Sequence, residues 1–305
     1  MAVVNTGLLT KGLRSEFFNR FESTPAHHKE LATRIPSTSD SETYRWLGTV
    51  PKLRQWGTGR VAKGLRAESY SVENLKYEAT IEVDRDEISD DQTGQIRVRV
   101  GELAQRAATH KDYLISQLLI SGGTAGFTSY DGVAFFNDAH VSGSSGSQDN
   151  NLTSDVVDPN DPTVPEFKTA LKQAMSTMMS FNDDQGEPLP IAASGLVCVV
   201  PPTMFFTALE SINATLINNT TNVLSGAAKV ISMPWLTDAS MWYLLKTDGV
   251  LRPFIFQDRE PIQFDAIAEG SELEFNKGIH RYGTRARYRL TYGEWRHCIK
   301  LTFST

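Results

Sequence analysis

The chain has 305 residues, 36 of them acidic and 30 basic, for a formal net charge of −6. With 40% hydrophobic residues, 15 Phe, 9 Tyr and 5 Trp it carries enough apolar area for a packed core, which excludes broad disorder. Its longest apolar candidate, Leu196 to Ala208, is interrupted by Pro201 and Pro202 and falls short of the ~20 residues a spanning helix needs, and a mildly acidic total argues against a dedicated DNA binder, whose affinity rests on clustered Lys and Arg.

The first 34 residues are a polar opening with one apolar cluster, Leu13, Phe17, Phe18 and Phe21, whose spacing predicts a short amphipathic helix on an arm. This stretch lacks the uninterrupted apolar core of a secretory signal. Next comes YRWLGTVPKLRQW (44 to 56), then a glycine-containing basic stretch. After it Leu75, Tyr77, Ala79, Ile81 and Val83 alternate with Lys76, Glu78, Thr80, Glu82 and Asp84, which predicts a strand. Together these runs predict a long hairpin with Gly57, Gly59, Arg60, Lys63, Gly64 and Arg66 near its tip. A lone hairpin buries little, so the face carrying Trp46, Trp56 and Tyr70 is expected to be covered by another subunit. With no acid from Lys52 to Arg66, the tip suits an acidic partner.

Asp90 and Asp91 suit the positive end of a helix. Ile96, Val100, Leu103, Ala107, Leu114 and Leu118 then recur at spacings of three, four and seven, predicting one helix over about 91 to 120, roughly 45 Å long at about 1.5 Å per residue. SGGTAGF ends it, YDGVAFFNDAH reads as a turn and short strand, and VSGSSGSQDNN as a flexible polar loop. A second subdomain opens at TVPE, where Thr163 and Glu166 have capping-box spacing ahead of Phe167, Leu171, Ala174, Met178 and Phe181. It continues as the buried strand LVCVV, the proline-opened helix PPTMFFTALESI, the polar NATLINNTTN, and the short strands KVISMP, MWYLLK and RPFIFQ. The end returns to strands: Ala286, Tyr288, Leu290 and Tyr292 alternate against Arg285, Arg287, Arg289 and Thr291, and HCIKLTF follows.

No constellation calls for catalysis, a metal or a cofactor. Gly57, Gly59 and Ala62 match GxGxxA, with Glu82 near the distance of a ribose-binding acid, but the buried strand before and the helix after are missing, so the motif reads as a hairpin tip. The six histidines form no HExxH or HxH. Asp84, Asp86, Glu87, Asp90 and Asp91 read as helix-start acids rather than a catalytic pair, Ser144 and Ser145 have no GxSxG elbow, and Asp155, Asp158 and Asp161 lack a calcium loop's glycine and glutamate. Cys198 and Cys298, each alone in an apolar run, are expected to be buried and reduced. Charge divides by segment: 258 to 274 holds six acids against Arg259, and 277 to 300 holds seven basic residues against Glu294. Ion pairing within the chain or between subunits is the favoured reading, ahead of a nucleic-acid surface on the Arg strand.

Five landmarks, in order and at matching spacing, resemble the major head proteins of Mu-like tailed phages: YRWLGTVPKLRQWGTGR (44 to 60), YSVENLKYEATIEVDRDEISDD (70 to 91), YDGVAFFNDAH (130 to 140), MPWL followed by WYLL (233 to 245), and RPFIFQDRE (252 to 260). The resemblance implies the α+β Hong Kong 97 capsid fold. Its parts would be an N-terminal arm (1–34), an extended hairpin loop and its base (35–85), a peripheral domain with a spine helix (86–160), an axial domain (161–277) and a return to the peripheral sheet (278–305). It also implies a function: hexamers and pentamers of the chain, assembled in the host bacterial cytoplasm, build an icosahedral head around double-stranded DNA held without sequence-specific binding. Implied partners are further copies of the chain, a separate scaffolding protein, a head protease, a portal protein and a decoration protein, with no membrane.

On this reading Trp56, Gly57, Gly59, Arg60, Lys63 and Arg66 at the loop tip make intersubunit contacts. Arg285, Arg287, Arg289, Asp258 and Glu260 make charge contacts between subunits or capsomers. With only about 35 residues before the hairpin, a separate scaffold is expected. Lys63 has no evident Asn partner, so the shell is expected to be noncovalent. The competing classes are a soluble α/β enzyme with a site assembled from distant residues in 160 to 275, and a nucleic-acid binder using the Arg strand.

Overall fold

The computed structural model describes residues 6–44, 70–90, 94–217 and 220–305. Helix α1 (Thr6–Ser23) forms as the Leu13/Phe17 spacing predicts, and both side chains are fully buried. It packs along the spine helix rather than standing free as an arm. After the single turn α2 (His28–Leu31) the chain enters a sheet as β1 (Ala32–Pro36), which runs across the 34/35 division. Strands β2 (Ser41–Tyr44) and β3 (Tyr70–Glu73) pair antiparallel as the base of the hairpin, and β4 (Leu75–Asp84) follows. The alternation seen in the sequence forms β4, with Tyr77 and Ile81 half-buried and Val83 buried, while Leu75 and Ala79 on the same face stay exposed.

A short helix α3 (Arg85–Asp90) precedes the spine α4 (Gln95–Ser121), whose 27 residues span about 40 Å at ~1.5 Å each. The acids expected at the start of the spine do not stand in its first turn: Asp90 ends α3, and Asp91 lies outside the described residues. Asp86 and Glu87 lie in the first turn of α3, the first turn of α4 has no acid, and Gly94 caps α4 with φ +74°, a left-handed turn that glycine adopts without strain. The buried stripe of α4 also shifts by about one residue after Leu103, to Ala104, Ala108, Asp112, Ile115, Ser116 and Leu119. An α-helix turns by 100° per residue, so a stripe followed by sevens drifts off the buried face, and here that face includes polar Asp112 and Ser116.

The segment read as a flexible polar loop is ordered structure. It forms the two-residue strands β5 (His140–Val141) and β6 (Ser147–Gln148), then β7 (Asn151–Asp155). Asn150, fully buried, donates to the carbonyls of Phe135, Trp295 and Cys298 at 2.8, 3.3 and 3.2 Å, which stitches the loop to the C-terminus. Helix α5 (Val164–Met179) begins with the expected capping box: the Thr163 backbone N–H donates to Glu166 at 2.8 Å. Strand β8 (Leu196–Val200) is buried throughout, and a 3₁₀ turn at Pro202–Met204 leads into α6 (Phe205–Asn213). The pair β9 (Leu216–Ile217) and β10 (Thr220–Thr221) precedes β11 (Lys229–Ser232) and β12 (Met241–Lys246). RPFIFQ is no short strand. It opens the 14-residue β13 (Phe254–Ile267), which turns through α7 (Glu272–Lys277) into the equally long β14 (Ile279–Tyr292), and β15 (Cys298–Ser304) closes the chain.

Two sheets organise these elements: β1-β13-β14-β4 and β11-β8-β12-β15-β7. Sheet membership cuts across the segment divisions at 160/161 and 277/278. β7 and β15 flank each other in the five-stranded sheet, while β13 lies between β1 and β14 in the other. The main core packs the five-stranded sheet, α5, α6 and the C-terminal half of α4; a second cluster joins Leu13 and Phe17 to Val83, Val100, Phe264 and Tyr282. The spine thus spans both. Cys198 and Cys298 are buried free thiols in the main core, and burial pushes both thiols up from their ordinary value. Among the described residues no helix is long and apolar enough to cross a membrane.

Candidate functional site

The strands β2 and β3, which flank residues 45–69, are held by buried polar contacts. Gln257, fully buried on β13, accepts from the Tyr44 hydroxyl at 2.7 Å and donates to the Val72 carbonyl at 3.3 Å, so it clamps both base strands. The Tyr70 hydroxyl meets Thr291 at 2.5 Å, so Tyr70 packs on its own chain's sheet, contrary to the expectation that another subunit covers it. Asn74 donates to the Ser37 hydroxyl and the Ser39 carbonyl, both at 2.9 Å. One oxygen of Glu42 accepts from the Ser37 hydroxyl and the Thr38 and Ser39 amides, which holds its carboxyl below the usual range. Sequence reasoning passed over Gln257, Asn74, Ser37 and Glu42, because a buried polar side chain carries no periodic signal. The tip residues Trp56, Gly57, Gly59, Arg60, Lys63 and Arg66, together with Trp46, Gly64 and the GxGxxA match, lie outside the described residues.

The acidic and basic segments face each other because β13 and β14 pair antiparallel, with Glu260 opposite Arg287. The register shifts between Asp258 and Gln263, where Pro261 removes a ladder donor. Arg285 lies 3.3 Å from Glu260, and Arg287 reaches both Glu260, at 3.8 Å, and Asp40. Asp258 pairs with Arg34 of β1 at 2.6 Å, and Arg281 donates to Glu82 of β4 at 2.6 Å. Arg289, opposite Gln257, sits near the Tyr70 and Tyr77 phenols. Of the five residues expected to serve charge contacts, Asp258, Glu260, Arg285 and Arg287 are thus already paired inside one chain.

Arg296, part of the same basic run, is not on the surface. It is 1% exposed and donates to Glu294 at 3.0 Å, to the Tyr130 hydroxyl at 2.7 Å and to the Asn182 carbonyl at 3.1 Å. Burial penalises its charge, but Glu294 and Tyr130 outweigh that and hold its pKa above the ordinary value. The Tyr130 hydroxyl in turn donates to Glu294 at 3.0 Å. This network ties the 130–140 segment to the C-terminus. Two of the other polar groups weighed for chemistry close locally: Asp84 accepts from the Asp86 amide, and the Ser145 hydroxyl donates to the Gly146 carbonyl.

A family model for the Mu-like prophage major head subunit gpT matches residues 7–164, 166–236 and 237–302. The Mu-like prophage FluMu major head subunit of Haemophilus influenzae is 25% identical over 294 residues, covering 95% of this chain and 71% of that protein. The major capsid protein of Escherichia phage Mu is 34% identical over 127 residues, 42% of this chain and 41% of that one. Among solved structures, the procapsid of bacteriophage JBD30 superposes with a TM-score of 0.61 at 24% identity, covering all of this chain and 77% of the other. That likeness places the α+β architecture in the phage-capsid fold of the Hong Kong 97 type.

Proposed function

Because this chain belongs to the Mu-like prophage major head subunit family, we propose that it assembles as hexamers and pentamers into an icosahedral head around double-stranded DNA. It is a major capsid protein, a structural component of the phage head. The observation that carries the reading is a family match running almost end to end through both sheets and the spine. The family match is the support for a five-part division into arm, extended loop, peripheral domain, axial domain and returning strand, while β1 and the sheet pairings run across its divisions at 34/35, 160/161 and 277/278. On this proposal the extended loop, clamped at its base by Gln257, lies over a neighbouring copy, and its tip residues from Trp56 to Arg66 make the contact. The Arg285–Arg289 face, with Asp258 and Glu260, joins copies by trading part of its internal pairing. The shell forms noncovalently in the host cytoplasm with a scaffolding protein, a head protease, a portal and a decoration protein, and its subunits act as building blocks rather than catalysts.

The in-chain pairing of Arg281, Arg285 and Arg287 and the burial of Arg296 disfavour a nucleic-acid surface on the Arg strand, since neutralised cations release few counterions on binding phosphate. The test is co-expression with the phage's own scaffolding protein, followed by light scattering and electron microscopy of the high-mass fraction. Closed shells, rings or tubes are the expected result. A chain that stays monomeric with scaffold present overturns the assembly proposal.

A further inference from the structure

A cleft of about 550 Å³ opens where α2, β1, the spine helix and the start of β13 meet. Among the described residues, Lys29, Arg34, Lys111 and Arg252 line it against a single acid, Asp258. In a chain of net charge −6 this is a local surplus of positive charge. The one acid is engaged, with Arg34 2.6 Å from its carboxylate. Arg252 spends its guanidinium on the backbone carbonyls of Lys29, Ala32 and Thr247. The nearby Asp112 is turned to the His27 and His28 amides, which donate to it at 2.9 and 2.7 Å.

That leaves Lys111. Its ammonium sits over two aromatic faces, 4.4 Å from the Phe256 centroid and 5.2 Å from that of Tyr288, and among the described residues no hydrogen-bond acceptor or carboxylate contacts it. Burial pulls its pKa down, with the charges of Arg34 and Lys29 adding to that and those of Asp258 and Asp112 opposing it without reversing it. A half-buried cation in an apolar wall is costly unless it is paired, and three further cations at the same opening compound the cost.

We propose that this cleft is an oxyanion-binding site in which the Lys111 ammonium is the primary ligand, supported by the charges of Lys29 and Arg252, and in which the ligand is a phosphate or carboxylate group. The chemistry admits two sources, a free phosphate or a carboxylate side chain of a second copy of this chain. The basic 52 to 66 stretch is excluded as occupant by its own charge. Phosphate binding to the unassembled chain does not depend on the assembly proposal; only the second source does.

The test is calorimetric titration of inorganic phosphate into the full-length unassembled chain, with ionic strength held by chloride. Saturable binding is expected, about tenfold or more weaker in Lys111→Met and kept in Lys111→Arg. Absence of saturable binding, or equal binding by Lys111→Met, overturns the proposal. If Lys111→Met fails to fold, amine acylation of the native chain read by peptide mass spectrometry gives the answer. Phosphate slows modification of Lys111 but not of Lys229, which is paired with Glu30; equal rates with and without phosphate overturn it. Repeating the titration on assembled shells separates the sources: phosphate that still binds identifies a free anion, and phosphate excluded while Lys111 stays protected identifies a carboxylate of a neighbouring copy.

Discussion

The carboxamide of Gln257 is the shared partner of the Tyr44 hydroxyl and the Val72 carbonyl, so its loss strands polar groups on both strands of the hairpin base. Gln257→Ala is expected to cost about 1–3 kcal/mol for each buried group left unpaired, measured as a lower urea midpoint, with faster hydrogen exchange in Tyr70–Glu73 than in β8. Unchanged exchange in β3 would show that the clamp is dispensable. Titration gives a second residue-scale prediction. His110 and His297 are held below the ordinary value of 6.5 first by burial, so just below that pH the unfolded chain binds protons that the folded chain does not. Their stabilisation is full above 6.5 and is lost as pH falls through 6.5 toward the depressed folded values. The carboxylates Glu42, Glu166 and Glu274, lowered from 4.5 mainly by hydrogen bonds, act in a lower window, below 4.5. Urea midpoints should therefore fall between pH 7.5 and 5.5, and His297→Gln should flatten that limb while leaving the more acidic one in place.

Helix α1 and the spine illustrate how elements share the load. Phe17, fully buried, packs against Phe264 with ring centroids 5.0 Å apart and ring planes tilted by 34°, and belongs to the second cluster rather than the main core. Phe17→Ala is expected to remove about 3–5 kcal/mol from that cluster. Hydrogen exchange should quicken in Thr6–Ser23 and the first turns of α4 while the five-stranded sheet stays protected; equal loss in both sheets would mean that the two clusters unfold as one unit. These elements were legible because their signals are periodic: the Leu13/Phe17 spacing, the strict alternation of β4, the Thr163/Glu166 cap and the Arg-alternating β14 all form where the residues put them. The polar 141–151 run was not. Its order comes from Asn150 and Gln148 bonding residues distant in sequence, and composition alone shows only glycine, serine and polar groups.

At the scale of the molecule, a sheet whose charges are paired at home and a hairpin whose base is clamped divide the work between folding and assembly. Replacing residues 57–66 with a short Asn-Gly turn is expected to leave the urea midpoint of the isolated chain unchanged and to abolish shells on co-expression with scaffold. Shells of normal size from the shortened chain would remove the tip from the contact. The in-chain pairs Arg285–Glu260 and Arg34–Asp258 are partly exposed, and such pairs contribute little to folding, ~0–1 kcal/mol. Their place at the sheet surface, rather than their strength, is what an assembling partner would meet.

The sequence by itself determined the periodic elements and, through its ordered landmarks, the family and the fold class the family implies, because periodicities, caps and landmarks are local properties of the chain. Only the tertiary structure decided which strands share a sheet, that the acidic and basic runs neutralise each other across β13 and β14, that Arg296 is buried in a polar network, and that Lys111 faces a cleft in which cations outnumber acids among the described residues. Those outcomes depend on residues far apart in sequence meeting in space, and a charged or polar side chain looks the same in the sequence whether its partner is water, its own chain or another molecule.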